Sequence, residues 1–304
     1  SGTSTYTPIT GGTVFATTYD NDVSAAITMG GTFPFGGSNM TTCYISSNGF
    51  ITFGAAPGTA TYTPMSTLGS TTGAISAFGQ DGGNSTVSGA AAEIKYLNTG
   101  TEFVVQFQDH ANYWASAEER MNFQIRLEYS TGIVKIVYGN CTLASTTTSG
   151  LTAQVGIRGN TVTYASNVNN LMIGNIPAGT TCNWSNAVTA NANNSNLLYA
   201  NSTNPSINIP NGLTYTWTPG TQAPVRTFAA TSGITATGAT VNWTAPTGAT
   251  QYNVRYKTVA ACNWTMATGN PYSSNTAALT GLTPFTTYMV QVQPLNGSAQ
   301  GIWS

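Results

Sequence analysis

Apolar and polar residues alternate with a period of two along most of the chain, in short runs closed by Gly, Asn, Ser and Thr. That is the pattern of strands with one face buried, and no long stretch carries the 3.6-residue period of an amphipathic helix. Three hairpins stand out. Cys43–Ser46 and Phe50–Phe53 flank Ser47-Asn48-Gly49, where Asn-Gly supplies the positive φ of a tight turn. Glu93–Leu97 and Glu102–Gln108 flank Asn98-Thr99-Gly100, with Phe103, Val105 and Phe107 sharing a face. In the third, Phe123, Ile125, Leu127 and Tyr129 form one face and Val134, Ile136 and Tyr138 the returning one. A loop from Ser130 to Ile133 then sets Tyr129 opposite Val134 and Glu128 opposite Lys135 on the wet side.

So many half-apolar strands hide their faces by packing two sheets together. Residues 1–217 are therefore expected to form a large, jelly-roll-like β-sandwich, closed by a long Asn/Ser-rich loop over 180–210. Pro219, Gly220 and Pro224 mark a short linker at 218–223, and a second, smaller domain occupies 224–304. The fold class is all-β throughout.

In the second domain Ala239-Thr-Val-Asn-Trp243, Tyr252-Asn-Val-Arg-Tyr256 and Leu282-Thr-Pro-Phe-Thr-Thr-Tyr288-Met-Val-Gln-Val292 resemble strands B, C and F of a fibronectin type III domain. The resemblance implies that Trp243 is the core tryptophan and that Tyr288 forms a tyrosine corner, ring buried and hydroxyl tied to upstream backbone. It also implies a seventh strand, and the sequence reaches Gly301-Ile302-Trp303-Ser304 where that strand should begin. The module is thus expected to lack its last strand, which a continuation of the chain or a neighbouring subunit would supply. The first domain, through Phe33-Pro-Phe35, Ile45–Phe53, Phe103–Phe107 and Asn122–Tyr138, resembles β-sandwich modules of secreted Bacteroidota proteins, often substrates of type IX secretion.

Composition narrows the chemistry. Only 6% of the 304 residues are charged, and all nine carboxylates lie between Asp20 and Glu128. Net charge is −1, which gives no basic stripe for phosphates, so nucleic acid is excluded as a partner. No apolar run is long enough to be a transmembrane segment. Four cysteines permit three pairings; Cys141 and Cys182, both in loop-like sequence, are the preferred disulfide, Cys43 is expected buried in a strand, and Cys262 has no standard partner in its module.

The one histidine, His110, follows Asp109 in a polar stretch read as a loop with a solvated imidazole; no G-x-S-x-G elbow accompanies it. Glu118 and Glu119 read as the charged tip of a long loop rather than a glycosidase acid with Asp109 or Glu128. No catalytic residue is assigned and no cofactor is required. Tyr113 and Trp114, with Asp109 beside them, form a glycan-binding candidate of the lectin kind, the alternative being that both rings pack over a sheet edge. Asp20 and Asp22 offer oxygen ligands for calcium, although Asp, Asn and Gly are also ordinary turn residues.

The function expected is a non-enzymatic extracellular or cell-surface segment serving adhesion or structure, with other protein domains or subunits and glycans as partners. Two alternatives stand beside it: a sugar-binding accessory region of a secreted hydrolase, and a self-assembling extracellular fibre subunit.

Overall fold

The computed structural model describes residues 1–36, 38–66, 72–143, 153–159, 168–171, 184–190, 209–219, 225, 227–297, 299–301 and 303–304. Two compact units divide the chain: residues 1–188 with 192–219, and residues 189–191 with 220–304. Most of the 180–210 segment, Cys182 and residues 220–223 of the linker lie outside the described residues.

The first unit holds β1 (Gly2–Thr3), β2 (Thr13–Ala16), β3 (Ile27–Phe35), β4 (Ser38–Ser46), β5 (Phe50–Thr52), β6 (Ala74–Gly79), β7 (Gly82–Asn84) and β8 (Glu93–Asn98). β9 (Glu102–Asn112), β10 (Met121–Glu128), β11 (Val134–Tyr138), β12 (Gln154–Ile157), β13 (Val168–Leu171), β14 (Val188–Ala190), of which Val188 alone falls in this unit, and β15 (Leu213–Trp217) follow. One sheet runs β1-β15-β11-β10-β9-β8-β2, with β7 also paired to β9; the other runs β14-β13-β12-β6-β5-β4-β3. Phe103, Val105, Phe107, Phe123, Ile125, Leu127, Ile136 and Tyr138 of the first sheet are buried, as are Phe33, Phe50, Ile75 and Phe78 of the second. Phe78 and Phe123 meet across the gap at 6.1 Å between ring centroids. Each such ring stabilises the fold by roughly 1.5–3 kcal/mol through the water it leaves.

The third hairpin differs from its expected register. Leu127, not Tyr129, faces Val134, and Arg126 faces Lys135. A slip of two residues preserves the faces because the side-chain period is two, so every apolar assignment holds while the turn lengthens. Glu128 and Lys135 still pair, now diagonally, and Arg126 turns to Glu102 instead. The first hairpin has the expected register, Ser46 facing Phe50, with Gly49 at φ 82°. Its turn is not on the surface, however: Ser47, Asn48 and Gly49 are buried. A Cβ on Gly49 would sit 2.4 Å from the Phe78 carbonyl oxygen.

The outer face of the first sheet is not simply wet either. Gln106 and Gln124 are fully buried beneath the N-terminal segment. Gln124 donates to the Thr7 carbonyl and to Gln106 Oε1, both at 2.8 Å, and Gln106 Oε1 also accepts from Ile9 N at 2.9 Å. The described part of 180–210 is more than a loop. Trp184 in the short 3-10 turn Trp184–Asn186 is fully buried, stacked on Phe78 at 6.0 Å, and its carbonyl accepts the Tyr215 hydroxyl at 2.5 Å.

The second unit contains β16 (Gly238–Asn242), β17 (Gln251–Thr258), β18 (Thr265–Met266), β19 (Thr276–Thr280), β20 (Tyr288–Asn296) and β21 (Ala299–Gln300). β16 pairs β19, and β18-β17-β20-β21 form the facing sheet. Trp243, 2% exposed, lies at the centre with Val241, Tyr252, Val254, Leu279 and Val292, its ring 5.1 Å from that of Tyr252. The Tyr288 hydroxyl accepts from Thr283 N at 2.8 Å, closing the expected corner, but its ring is half-buried rather than buried. The seventh strand is begun, not absent: β21 pairs Leu295 and Asn296, and the Gly301 and Ser304 amides continue onto the Pro294 and Val292 carbonyls.

Candidate functional site

The stretch read as a polar loop around His110 is strand. β9 runs through Asn112, and a bulge intervenes: Phe123 faces Phe107 while Met121 faces His110, so two steps on β10 match three on β9. The extra residue is accommodated by Asp109, whose φ of 47° lies in the left-handed region. The bulge reverses the parity of the strand. His110 turns into the core, fully buried, and Asp109 is turned the other way.

Neither residue is free for chemistry or ligand. Asp109 is 2% exposed, clamped by Arg120 through Nε at 2.5 Å and Nη2 at 3.0 Å, and accepts from Ala91 N at 2.7 Å. Burial pushes its carboxyl up, but the Arg120 and Ala91 hydrogen bonds and the Arg120 charge outweigh that and hold it below the usual value. Its assignment to a glycan site is therefore corrected. His110 touches Tyr19 Oη at 3.4 Å and is otherwise ringed by phenylalanines; burial lowers its pKa to about 3. Glu119 is no loop tip: it is fully buried, with Oε2 accepting from Asn112 N at 2.8 Å. Cys141 is a buried free thiol hydrogen-bonded to the Asn122 carbonyl, so the Cys141–Cys182 disulfide is also corrected. Cys43 is likewise a free thiol, buried in its strand as expected.

What the fold does assemble is an acidic and aromatic end to the first sandwich. Four loops meet there through a single amide: Asn48 Oδ1 accepts from Gly82 N at 2.9 Å, and its Nδ2 donates to the Thr59 carbonyl at 3.0 Å and Asn21 Oδ1 at 3.3 Å. Asp20 forms a bridge with Gly83, and Tyr113 N donates to the Asp81 carbonyl at 2.9 Å. Asn112 then caps the turn at Tyr113–Ala115 by accepting from Trp114 N at 3.0 Å. The outcome is a Tyr113–Trp114 ledge, rings perpendicular at 5.4 Å, with Trp114 78% exposed.

Trp114 Nε1 donates to Asp81 Oδ2 at 3.2 Å, which fixes the indole while leaving its face open. The Asp81 carboxyl is pushed up by burial and then by Asp20, and drawn down by the Trp114 bond. Sequence reasoning placed Asp20 and Asp22 in one candidate site and Tyr113 and Trp114 in another; the structure brings both sets to the same end. It missed Asp81, for which the only signal was a carboxylate before the Gly82-Gly83 pair, where backbone runs close. Asp20 and Asp22 serve their own turn: Asp22 Oδ2 accepts from Asp20 N at 3.1 Å, with Asn21 at φ 60°. Among the described residues no three His, Cys, Asp or Glu side chains group as metal ligands.

A separate polar groove of about 450 Å³ lies between the N-terminal segment and the outer sheet face, lined by Ser4, Thr5, Thr7, Thr214, Arg126 and Lys135. Glu102 and Glu128 neutralise its two cations.

The sequence profile of a family described as NIDO related matches residues 1–219, most of the chain. The chain belongs to that family. Its NIDO-related unit is followed by a fibronectin type III domain, matched over residues 223–304. Curated proteins give no match. Among solved structures, the fibronectin type III domain of the human collagen alpha-1(XX) chain is 25% identical, covering 28% of this chain and 81% of that one, with a TM-score of 0.24. A two-domain fibronectin type III segment from chicken tenascin is 11% identical over 69% of this chain and 94% of that one, with a TM-score of 0.25. At such scores the assignment rests on the family profiles and on the second unit's own strand order and tyrosine corner. NIDO-related and fibronectin type III units are non-catalytic module types, typical of extracellular and structural proteins. Among the described residues no helix is long and apolar enough to cross a membrane.

Proposed function

We propose that this NIDO-related chain is a non-enzymatic extracellular adhesion segment whose Tyr113–Trp114 end engages a glycan. The observation that carries the reading is the Trp114 indole, 78% exposed yet held by Asp81. An open aromatic face of that kind stacks on the C–H face of a pyranose, while the exposed Asp20 carboxylate at the same end accepts hydrogen bonds from sugar hydroxyls. A ring that merely packed over a sheet edge would have surrendered most of its surface. The non-catalytic module types support the same direction, as does the burial of Asp109, His110 and Glu119 away from any substrate. A secreted or cell-surface source of the Bacteroidota type IX kind accords with the sequence resemblance.

The test is glycan-array binding of the full chain beside Trp114→Ala and Asp81→Asn. A glycan signal reduced about tenfold or more in Trp114→Ala, at unchanged melting temperature, is the expected result. A blank array, or a signal indifferent to both substitutions, rejects it.

A further inference from the structure

The two-stranded sheet of the second unit ends in an open edge. β16 lies between β19 and the segment before it, which joins by bridges at Phe228–Trp243 and Ser232–Thr240. Thr240 exchanges both backbone bonds with Ser232, at 2.7 and 2.9 Å, and the Asn242 carbonyl accepts from Ala229 N at 2.9 Å. Backbone groups alternate sides along a strand, so Ala239 and Val241 turn theirs toward β19, where they face Leu279 and Ala277. The same alternation points the N–H and C=O groups of Thr276, Ala278 and Thr280 away from β16. Among the described residues these groups meet one hydrogen bond, from the Ser274 hydroxyl to the Thr276 carbonyl at 3.4 Å.

An edge of this kind is a template for another strand, and folded chains guard it. β3, an edge of the first unit, carries Pro34 and a bulge between Thr28 and Phe33, and the Tyr129 hydroxyl donates to its Met29 carbonyl at 2.7 Å. β18, the edge beside β17, is two residues long. β19 has neither proline nor bulge: its five residues pair with β16 without interruption. It has no charge either, and none occurs in residues 227–254 or 258–304, which include β16, β19 and the bridged segment.

The pattern along β19 selects the occupant. Ala277 and Leu279 are buried, whereas Ala278 and Thr280 are exposed and Thr276 is half-buried. The outward rungs therefore read Thr-Ala-Thr, the same in both directions. Antiparallel pairing about a two-fold axis requires that symmetry, because each residue meets the one equally far from the centre on the other copy. Centred on Ala278, such a pair sets threonine against threonine at both ends and one small methyl beside another in the middle. A charged residue on the central rung would meet its own like charge there, and β19 has none.

We propose that β19 is a self-pairing edge through which two copies of this chain join their two-stranded sheets into one continuous sheet. The outward N–H groups of Thr276, Ala278 and Thr280 donate to carbonyls of the second copy, whose own N–H groups donate in return. Water satisfies these groups in the single chain, so each exchanged bond adds little and the association is weak and reversible. The inference does not rest on the glycan reading, although a pair of chains would double its valency.

The test is sedimentation equilibrium of the full chain from micromolar to millimolar concentration, with amide exchange followed by NMR over the same range. Mass should rise from monomer toward dimer. The Ala278 and Thr280 amides should gain protection with it, while those of Ala277 and Leu279, already turned to β16, should change little. Ala278→Pro removes the central outward donor at an edge position where proline is tolerated, and should abolish the dimer. Ala278→Lys should weaken it several-fold at low salt and less at high salt, and Ala278→Ser should leave it intact. A chain that stays monomeric into the millimolar range, a dimer in which Ala278 and Thr280 exchange as fast as in the monomer, or a dimer that the Pro and Lys variants form equally well would each overturn the proposal. The exchange pattern of the unsubstituted chain decides the matter even if a variant fails to fold.

Discussion

Phe107 and His110 lie three residues apart on one strand and still put their rings on the same side, 5.5 Å apart and nearly perpendicular at 79°. An unbroken strand would send them to opposite faces. The bulge at Asp109 makes the difference, and in one step it seals the chain's only imidazole in the core and commits its neighbour to Arg120.

Sealing His110 gives the first unit an acid-sensitive term. The unfolded chain takes up the histidine proton near pH 6.5 and the folded chain only near 3, so the unfolded state binds more protons in between and stability falls as pH drops through that window. The loss is on the order of 4 kcal/mol by pH 3. Chemical denaturation of the chain between pH 7 and 4 should show this slope, and His110→Phe should flatten it. A slope unchanged in His110→Phe would mean that the imidazole is not sealed. Residues 129–304 hold no Asp, Glu or His, so the second unit should be nearly indifferent to the same change.

Asp109→Asn should destabilise the first unit by about 1–2 kcal/mol at pH 7, because the charge-assisted bonds to Arg120 are lost while the guanidinium, 40% exposed, stays screened by water. Its folded pKa is lowered, so its contribution is present above the ordinary carboxylate value and fades as pH falls through the folded one. Wild type and variant should therefore converge in stability as pH falls below the ordinary carboxylate range and the Asp109 carboxylate protonates. A gap that persists there would assign the effect to packing.

The two exposed and buried tryptophans should part company under truncation. Trp114→Ala removes an indole that is 78% exposed and should move the melting temperature little. Trp243→Ala empties the centre of the second unit, where the ring is 2% exposed, and should cost about 3–5 kcal/mol. Differential scanning calorimetry distinguishes them, and a large loss in Trp114→Ala would show that the ledge is packing rather than platform.

Phe285 holds φ 54° with its side chain wholly exposed. A left-handed backbone is costly for any residue with a Cβ, and here no buried surface offsets it. Phe285→Gly should raise the stability of the second unit by about 1 kcal/mol, net of the chain entropy that glycine adds to the unfolded state. Equal or lower stability in the variant would show that the ring contributes contacts in solution.

Periodicity made the sandwich legible because strands with one buried face must alternate, and an even register slip such as that of Leu127 onto Val134 leaves the alternation intact. Odd insertions do not announce themselves. Nothing in Gln108-Asp109-His110 distinguishes a bulge from a loop, so the inward turn of His110 and the burial of Asp109 were invisible. Glu119 was read as exposed because carboxylates usually are, yet a backbone amide seven residues away provides for it. The aromatic end was half legible: Tyr113 and Trp114 could be picked out as a ledge, but its union with Asp20 and Asp81 depends on long-range loop contacts, which local pattern does not encode.

The buried turn at Ser47-Asn48-Gly49 gives that end a particular dynamic character. Because the segments at Asn21, Thr59 and Gly82 are all fastened to one carboxamide, they share an anchor in addition to those of their own. Loops at the tip of a sandwich ordinarily fluctuate separately; these should open as a single cooperative body, with matched amide exchange rates in the segments around Asn21, Thr59 and Gly82. Trp114 would then be presented from a platform that is either whole or absent, with few intermediate poses to dilute its recognition.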